Sequence, residues 1–160
     1  MKKNTEKTNA IRCLEQKKIN FQIHDYTDFG VVSGKEVAEV LNEDPEIVFK
    51  TLVTRGKSEK NYVFLVPVNS ELDLKKAATA VNEKYIEMIR SADLLPLTGY
   101  VHGGCSPIGM KKFFRTIIDS SAQNNAKILF NGGKIGIQIE TTLEEIGKVI
   151  PFELYDIVTK

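Results

Sequence analysis

Apolar and polar positions along the chain change their period several times, and each change marks an element. Over residues 5–18, Ala10, Ile11 and Leu14 follow helical spacing. Lys17 and Lys18 stand at the end, where positive charge suits the helix dipole. The run Phe21-Gln22-Ile23-His24-Asp25-Tyr26 alternates apolar with polar residues, the signature of a half-buried strand. Ser33 with Glu36 three positions later forms a capping box for a helix reaching about Asn42, striped by Val37, Ala38, Val40 and Leu41. Asp44-Pro45 repeats the start signal and predicts one more, very short helix.

Two apolar segments follow, 48–55 and 62–68, joined through Gly56-Lys57-Ser58-Glu59-Lys60-Asn61, and they predict a hairpin. Pro67 cannot donate to a ladder and is expected at an edge or a bulge. Helical spacing returns over 72–81 (Leu72, Leu74, Ala77, Ala78, Val81), then a short strand at 85–88 and a helical turn at 91–95 ahead of Pro96. After a glycine-rich stretch, 99–109, three strands are expected at 115–119, 127–130 and 134–140, the last two joined at Asn131-Gly132-Gly133. Thr142 with Glu145 opens a short helix, and 152–158 closes the chain. Helices interleave with hairpins, so the pattern predicts an α+β fold on a mixed sheet of six or more strands.

Composition sharpens this to one domain spanning 1–160. The chain has 160 residues, 42% hydrophobic and 27% charged, enough for one core without disulfides or metal. No apolar run approaches a membrane span, and no leader pattern is present, so neither a membrane nor a secretory route is expected. Cys13 with Cys105 and His24 with His102 lack metal-ligand spacing; free thiols, a cytoplasmic setting and no metal or cofactor are the expectation. The net charge of +1 hides strong segregation: residues 1–21 carry +4, 22–49 carry −6, 99–139 carry +4 and 140–160 carry −3. The basic 99–139 stretch beside a glycine-rich loop is a candidate phosphate contact, or simply a solvated face.

Lys50 is the most informative single residue. Period two places it on one strand face with Val48 and Leu52. A lysine there either lays its stem on apolar surface at a sheet edge or stands in a polar cavity. The segment Gly104-Cys105-Ser106-Pro107-Ile108-Gly109-Met110-Lys111 is no phosphate loop, because Met110 displaces the lysine. Ser106 is no nucleophile elbow, because Pro107 follows it and Gly109 stands one place too far. Cys105 reads better as a small buried residue than as a nucleophile, and His24 and His102 as hydrogen-bonded strand or loop residues. The paired glycines Gly103 and Gly104 permit close backbone approach to a ligand.

Taken together and in order, Phe21–Tyr26, the Val48-Phe49-Lys50-Thr51-Leu52-Val53 block, Leu72-Asp73-Leu74-Lys75-Lys76-Ala77-Ala78, the Gly99 to Lys112 stretch and Asn131-Gly132-Gly133-Lys134 resemble the YbaK/EbsC-type Cys-tRNA(Pro) deacylases. The resemblance covers nearly the whole chain. It implies a curved, mostly antiparallel sheet with flanking helices, like the editing domain of prolyl-tRNA synthetases. It implies removal of cysteine from Cys-tRNA(Pro), and possibly Cys-tRNA(Cys), by attack of the substrate's own thiol on its ester carbonyl. It places the key lysine at Lys50 and substrate contacts at Tyr26, Gly103, Gly104, Asn131, Gly132 and Gln138. No cofactor and no metal are implied; aminoacyl-tRNA is the partner, with prolyl-tRNA synthetase a possible second one. Asn131 stands where the family carries serine and Gln138 where it carries aspartate, and segment 27–32 is shorter than the family's loop. Asn131 and Gln138 keep open hydrolysis of Ala-tRNA(Pro) or another small aminoacyl-tRNA; a non-catalytic tRNA-binding or regulatory module is the rival from another class.

Overall fold

The unbroken apolar run of the hairpin's second strand needs cover on both faces, and that requirement organises the molecule. The computed structural model describes residues 7–27 and 34–159. Among them the elements run α1 (Asn9–Gln16), β1 (Gln22–Asp25), α2 (Gly34–Val40), β2 (Phe49–Gly56), β3 (Asn61–Pro67), α3 (Leu74–Ala80), β4 (Ile86–Met88), α4 (Ser91–Thr98), β5 (Arg115–Asp119), β6 (Ile128–Asn131), β7 (Ile137–Thr141), α5 (Leu143–Gly147) and β8 (Glu153–Tyr155). The expected mixed α+β architecture is present, with the strands divided between two sheets. One has the order β4-β2-β3-β5-β8, the other β1-β7-β6. Most pairs are antiparallel; β3 with β5 and β5 with β8 are parallel.

β3 is the central strand. Its Val63 and Leu65 face the main core with Phe49, Val53, Ile118, Phe130 and Ile139. Its Tyr62, Phe64 and Val66 face a second cluster with Ala77 and Ala78 of α3 and Ile117. Pro67 therefore sits neither at a sheet edge nor in a bulge. It is the last residue of β3, and β5 pairs only as far as Leu65, so no ladder donor is lost there.

Beyond their shared core, the two sheets are joined among the described residues by one parallel main-chain bridge, Val48 to Leu129, where the Leu129 N–H donates to the Ile47 carbonyl at 2.9 Å. Beyond it the strands splay. β4 pairs with β2 only from Thr54 onward. Between these two points no strand of the described residues neighbours the outer edge of β2, and that gap makes the site.

Several local expectations are corrected. α4 continues through Pro96 to Thr98, because Thr98 Oγ1 donates to the Leu94 carbonyl (2.7 Å) and Gly99, left-handed at φ 88°, donates its N–H to the Leu95 carbonyl (2.8 Å). Asp44-Pro45 starts a turn and no helix; the Asp44 carboxylate accepts from the Glu46 N–H at 2.9 Å. Residues 134–136 belong to the β6–β7 turn, since Gly133 and Gly136 are left-handed and β7 begins at Ile137. β1 is an edge strand with its alternation reversed: Ile23 is exposed, and His24 turns to Glu140 at 3.1 Å. Thr142 does cap α5 by accepting from the Glu145 N–H (3.1 Å), but the Glu145 carboxylate turns away to the Asn20 N–H (3.0 Å). The Ser33 cap and most of segment 27–32 lie outside the described residues.

Candidate functional site

Where the sheets splay, a cavity of about 230 Å³ opens. Its walls are five consecutive residues of β2 and its approach (Val48, Phe49, Lys50, Thr51 and Leu52), Val68, Tyr26, Asn131 and Gln138 at the end of the β6–β7 hairpin, Leu94 of α4, and the loop residues His102, Gly103 and Cys105. Five residues anticipated from the sequence thus converge: Tyr26, Lys50, Gly103, Asn131 and Gln138. Gly104 and Gly132 do not line the cavity. They permit close packing behind it: a Cβ on Gly104 would stand 2.9 Å from the Ile135 nitrogen, and one on Gly132 would stand 2.7 Å from Ile137 Cγ2.

Lys50 keeps the orientation that its pattern implied, on the face with Leu52, and its side chain is about one-third exposed (31%). Its Nζ lies 3.9 Å from the carboxylate of Glu71, which is almost wholly in solvent, so this ion pair is a weak one. Among the described residues no carboxylate lines the cavity, and the Lys50 ammonium is the one cationic side chain on its wall there.

Tyr26 and Gln138 form the inner polar wall. Tyr26 is buried, its N–H donates to the Gly136 carbonyl at 2.8 Å, and its phenol oxygen accepts from Gln138 Nε2 at 3.2 Å. Burial pushes the Tyr26 phenol above its ordinary pKa, partly offset by the Gln138 contact, so it stays protonated near neutrality. Gln138 is 4% exposed, and its Oε1 has no hydrogen-bond partner; the buried Thr51 Oγ1 has none either. Two orphaned polar atoms on residues lining one small cavity mark a place for a polar ligand.

Asn131 is engaged on all sides. Its Nδ2 donates to the Gly103 (3.0 Å) and Lys134 (3.3 Å) carbonyls, and its Oδ1 accepts from the N–H groups of Gly133 (2.6 Å) and Lys134 (3.2 Å). It ties the glycine loop to the hairpin. α1 completes the clamp: Thr8 Oγ1 caps the helix, accepting from the Ile11 N–H (3.1 Å), and donates to the Gly132 carbonyl (2.5 Å).

The rejected nucleophiles stay rejected. Ser106 is fully buried, and its oxygen accepts from the Ile108 N–H at 3.2 Å. Burial pushes the Cys105 thiol up to about 12, so no thiolate is present at neutral pH. Among the described residues no cluster of three His, Cys, Asp or Glu side chains could hold a metal ion. A larger cleft beside β4 and α4, about 800 Å³, has two ion pairs in its lining, Arg55 with Glu87 (3.2 Å) and Arg90 with Asp93 (3.1 Å).

Thr51 escaped the sequence reading, and His102 figures there only as a hydrogen-bonded strand or loop residue, not as part of a site. Period two assigns Thr51 to the face opposite Lys50, and only a cavity lying off the strand edge can be lined by both. His102 had one signal, its place directly before the glycine pair; it stands exposed at the rim.

Comparison with known proteins agrees with this geometry. The chain is 42% identical, over 99% of its length and 98% of the relative's, to EbsC of Enterococcus faecalis, a protein named as a Cys-tRNA(Pro)/Cys-tRNA(Cys) deacylase. The fold is shared with a crystal structure described as a trans-editing enzyme for prolyl-tRNA synthetase (TM-score 0.82, 21% identity, covering 98% of this chain and 100% of that one). It is shared also with the hypothetical protein APE2540 (TM-score 0.86, 16% identity, covering 94% and 99%). Residues 30–149 match the aminoacyl-tRNA editing domain, and with the full-length relative this places the chain in the aminoacyl-tRNA editing domain family.

Proposed function

We propose that this chain, an aminoacyl-tRNA deacylase of the editing family, removes cysteine from Cys-tRNA(Pro), with Cys-tRNA(Cys) as second substrate, by cyclisation of the cysteinyl group. The observation that carries the reading is the Lys50 ammonium on the wall of a small cavity that, among the described residues, no carboxylate lines. In the reaction the substrate sulfur bonds to its own ester carbonyl carbon. The bond from that carbon to the ribose oxygen breaks, and the thiol proton ends on the departing ribose hydroxyl. The products are tRNA and a cyclic thiolactone, and no protein nucleophile takes part.

The protein's task is then orientation and charge stabilisation. Lys50 faces the oxygen on which negative charge develops. Tyr26 and Gln138 hold the aminoacyl group from within. Gly103 offers its backbone to the terminal ribose, and Asn131 keeps Gly103 in place. Gly104 and Gly132 act through packing. The reading sets the work in the cytoplasm, with prolyl-tRNA synthetase supplying the mischarged tRNA.

Incubation of the protein with Cys-tRNA(Pro) tests this: loss of the ester no faster than in buffer refutes it. Lys50→Ala should lower turnover by roughly 10²–10³-fold with the fold intact. A second reading rests on His102 at the rim, which could serve as base for water. Cleavage of Ala-tRNA(Pro), which has no thiol, at a rate comparable to Cys-tRNA(Pro) would favour it.

A further inference from the structure

The cavity's floor is the bare edge of β2, and the ladder fixes which main-chain groups point into it. The Val68 N–H donates to the Val48 carbonyl at 2.8 Å, so Val48, Lys50 and Leu52 turn their N–H and C=O groups toward β3. Ile47, Thr51 and Val53 turn theirs the other way. On that outer edge the Ile47 carbonyl takes the Leu129 N–H (2.9 Å) and the Val53 carbonyl takes the Ile89 N–H (3.4 Å). Thr51 lies between them, and on that outer edge no strand of the described residues faces it. Its Oγ1 and Gln138 Oε1 are the orphaned polar atoms of the same cavity.

We propose that the edge of β2 at Thr51 binds the aminoacyl residue as a one-residue antiparallel strand. The substrate's ester carbonyl accepts from the Thr51 N–H, and its α-amino group donates to the Thr51 carbonyl. An aminoacyl group carries its N–H donor and C=O acceptor at the spacing of a peptide residue, and a hydrogen-bonded antiparallel pair exchanges both bonds. The volume agrees: about 230 Å³ lies below the roughly 300–1,000 Å³ of pockets for larger ligands and suits an aminoacyl group alone. In its ammonium form the group has two further hydrogens, which meet Gln138 Oε1 and Thr51 Oγ1 and give both orphans a partner. The Thr51 N–H then joins Lys50 in stabilising the charge that forms on the carbonyl oxygen, one donor from the strand edge and one from its face. This inference rests on the deacylase reading and adds the group that polarises the ester.

Two experiments test it. In the first, the ¹⁵N-labelled protein is titrated with 3′-cysteinylamido-adenosine, whose amide replaces the labile ester. The Thr51 amide proton should move downfield and exchange with solvent at least tenfold more slowly. Shifts at Gly103 and Gln138 with none at Thr51 overturn this inference alone. No shift at any cavity residue overturns the deacylase reading with it. In the second, Thr51→Pro deletes the N–H at a position where no ladder bond is lost, the setting in which strands tolerate proline. Turnover of Cys-tRNA(Pro) should fall roughly 10²–10³-fold while KM moves by less than tenfold. A folded Thr51→Pro protein with wild-type turnover refutes the proposal, and if that variant does not fold, the titration of the wild-type protein decides.

Discussion

Replacing Gly104 by alanine should damage both stability and activity, although the added group is a single methyl. The new Cβ would lie 2.9 Å from the Ile135 nitrogen, 3.2 Å from the Lys134 carbonyl carbon and 3.3 Å from Lys134 Cα. All three are backbone atoms, so no side chain can rotate out of the way. The glycine loop and the β6–β7 turn must separate by several tenths of an ångström, and overpacking of this kind costs about 1–3 kcal/mol. The loss of glycine's freedom in the unfolded chain returns about 0.4–1 kcal/mol. The net is about 1–2 kcal/mol, or a melting temperature lower by about 2–8 °C for a chain of this size. The same separation pulls on the 3.0 Å bond from Asn131 Nδ2 to the Gly103 carbonyl, and so displaces one wall of the cavity. Deacylation of Cys-tRNA(Pro) should fall by about tenfold or more, as for other sub-ångström misplacements of a site. Gly147→Ala is the matched control. Its Cβ meets only Phe152 at 3.7 Å, ordinary contact, at the end of α5. That variant should melt about 1–4 °C higher and keep full activity. Calorimetry of both variants beside a single-turnover assay reads the difference. A Gly104→Ala protein that melts at or above the wild-type temperature and turns over normally would refute the packing account of the glycine pair.

Other expectations follow from particular contacts. Lys134 is exposed on the turn that Asn131 anchors and shows no acidic partner among the described residues, so Lys134→Ala should weaken tRNA binding and reduce the slope of log K against log salt by about 1 in a filter-binding series. Arg115→Ala should change that slope far less, because Arg115 is held by Glu153 at 2.6 Å. With the Cys105 pKa raised by burial from 9.0 to about 12, the unfolded chain ionises first; stability present below pH 9 should fall as pH rises from about 9 to 12, and by less in Cys105→Ala, as read from urea midpoints. Native Cys105 should also resist iodoacetamide at pH 8 until denaturant is added, by mass spectrometry. Thr142→Ala removes the α5 cap and should cost about 0.5–2 kcal/mol in the same urea titrations, with catalysis unchanged.

Much of the fold and part of the site were legible in one dimension. The apolar runs located β2, β3 and β5, and the cap expected at Thr142 holds as a hydrogen-bonded cap. Local order resides in such patterns because each depends on neighbours a few residues away. Lys50 stood out for the same reason, as a charge on an apolar strand face. Where reading failed, a distant contact overrode a local preference. Thr98 and Gly99 carry α4 past Pro96, and Gly136, bonded to Tyr26, holds 134–136 in a turn. Asn131 was read as a substrate contact, and only the fold shows all its bonding capacity spent on Gly103, Gly133 and Lys134. The cavity itself has no sequence signal. It exists because two sheets meet at Val48 and Leu129 and then part, leaving the edge at Thr51 bare. The sequence by itself determined the elements and the lysine, through short-range periodicity and sterics. The tertiary structure decided what surrounds that lysine, because pairing between distant segments, Val48 with Leu129 and β2 with β4, sets which edge stays open, and no local pattern encodes that distance.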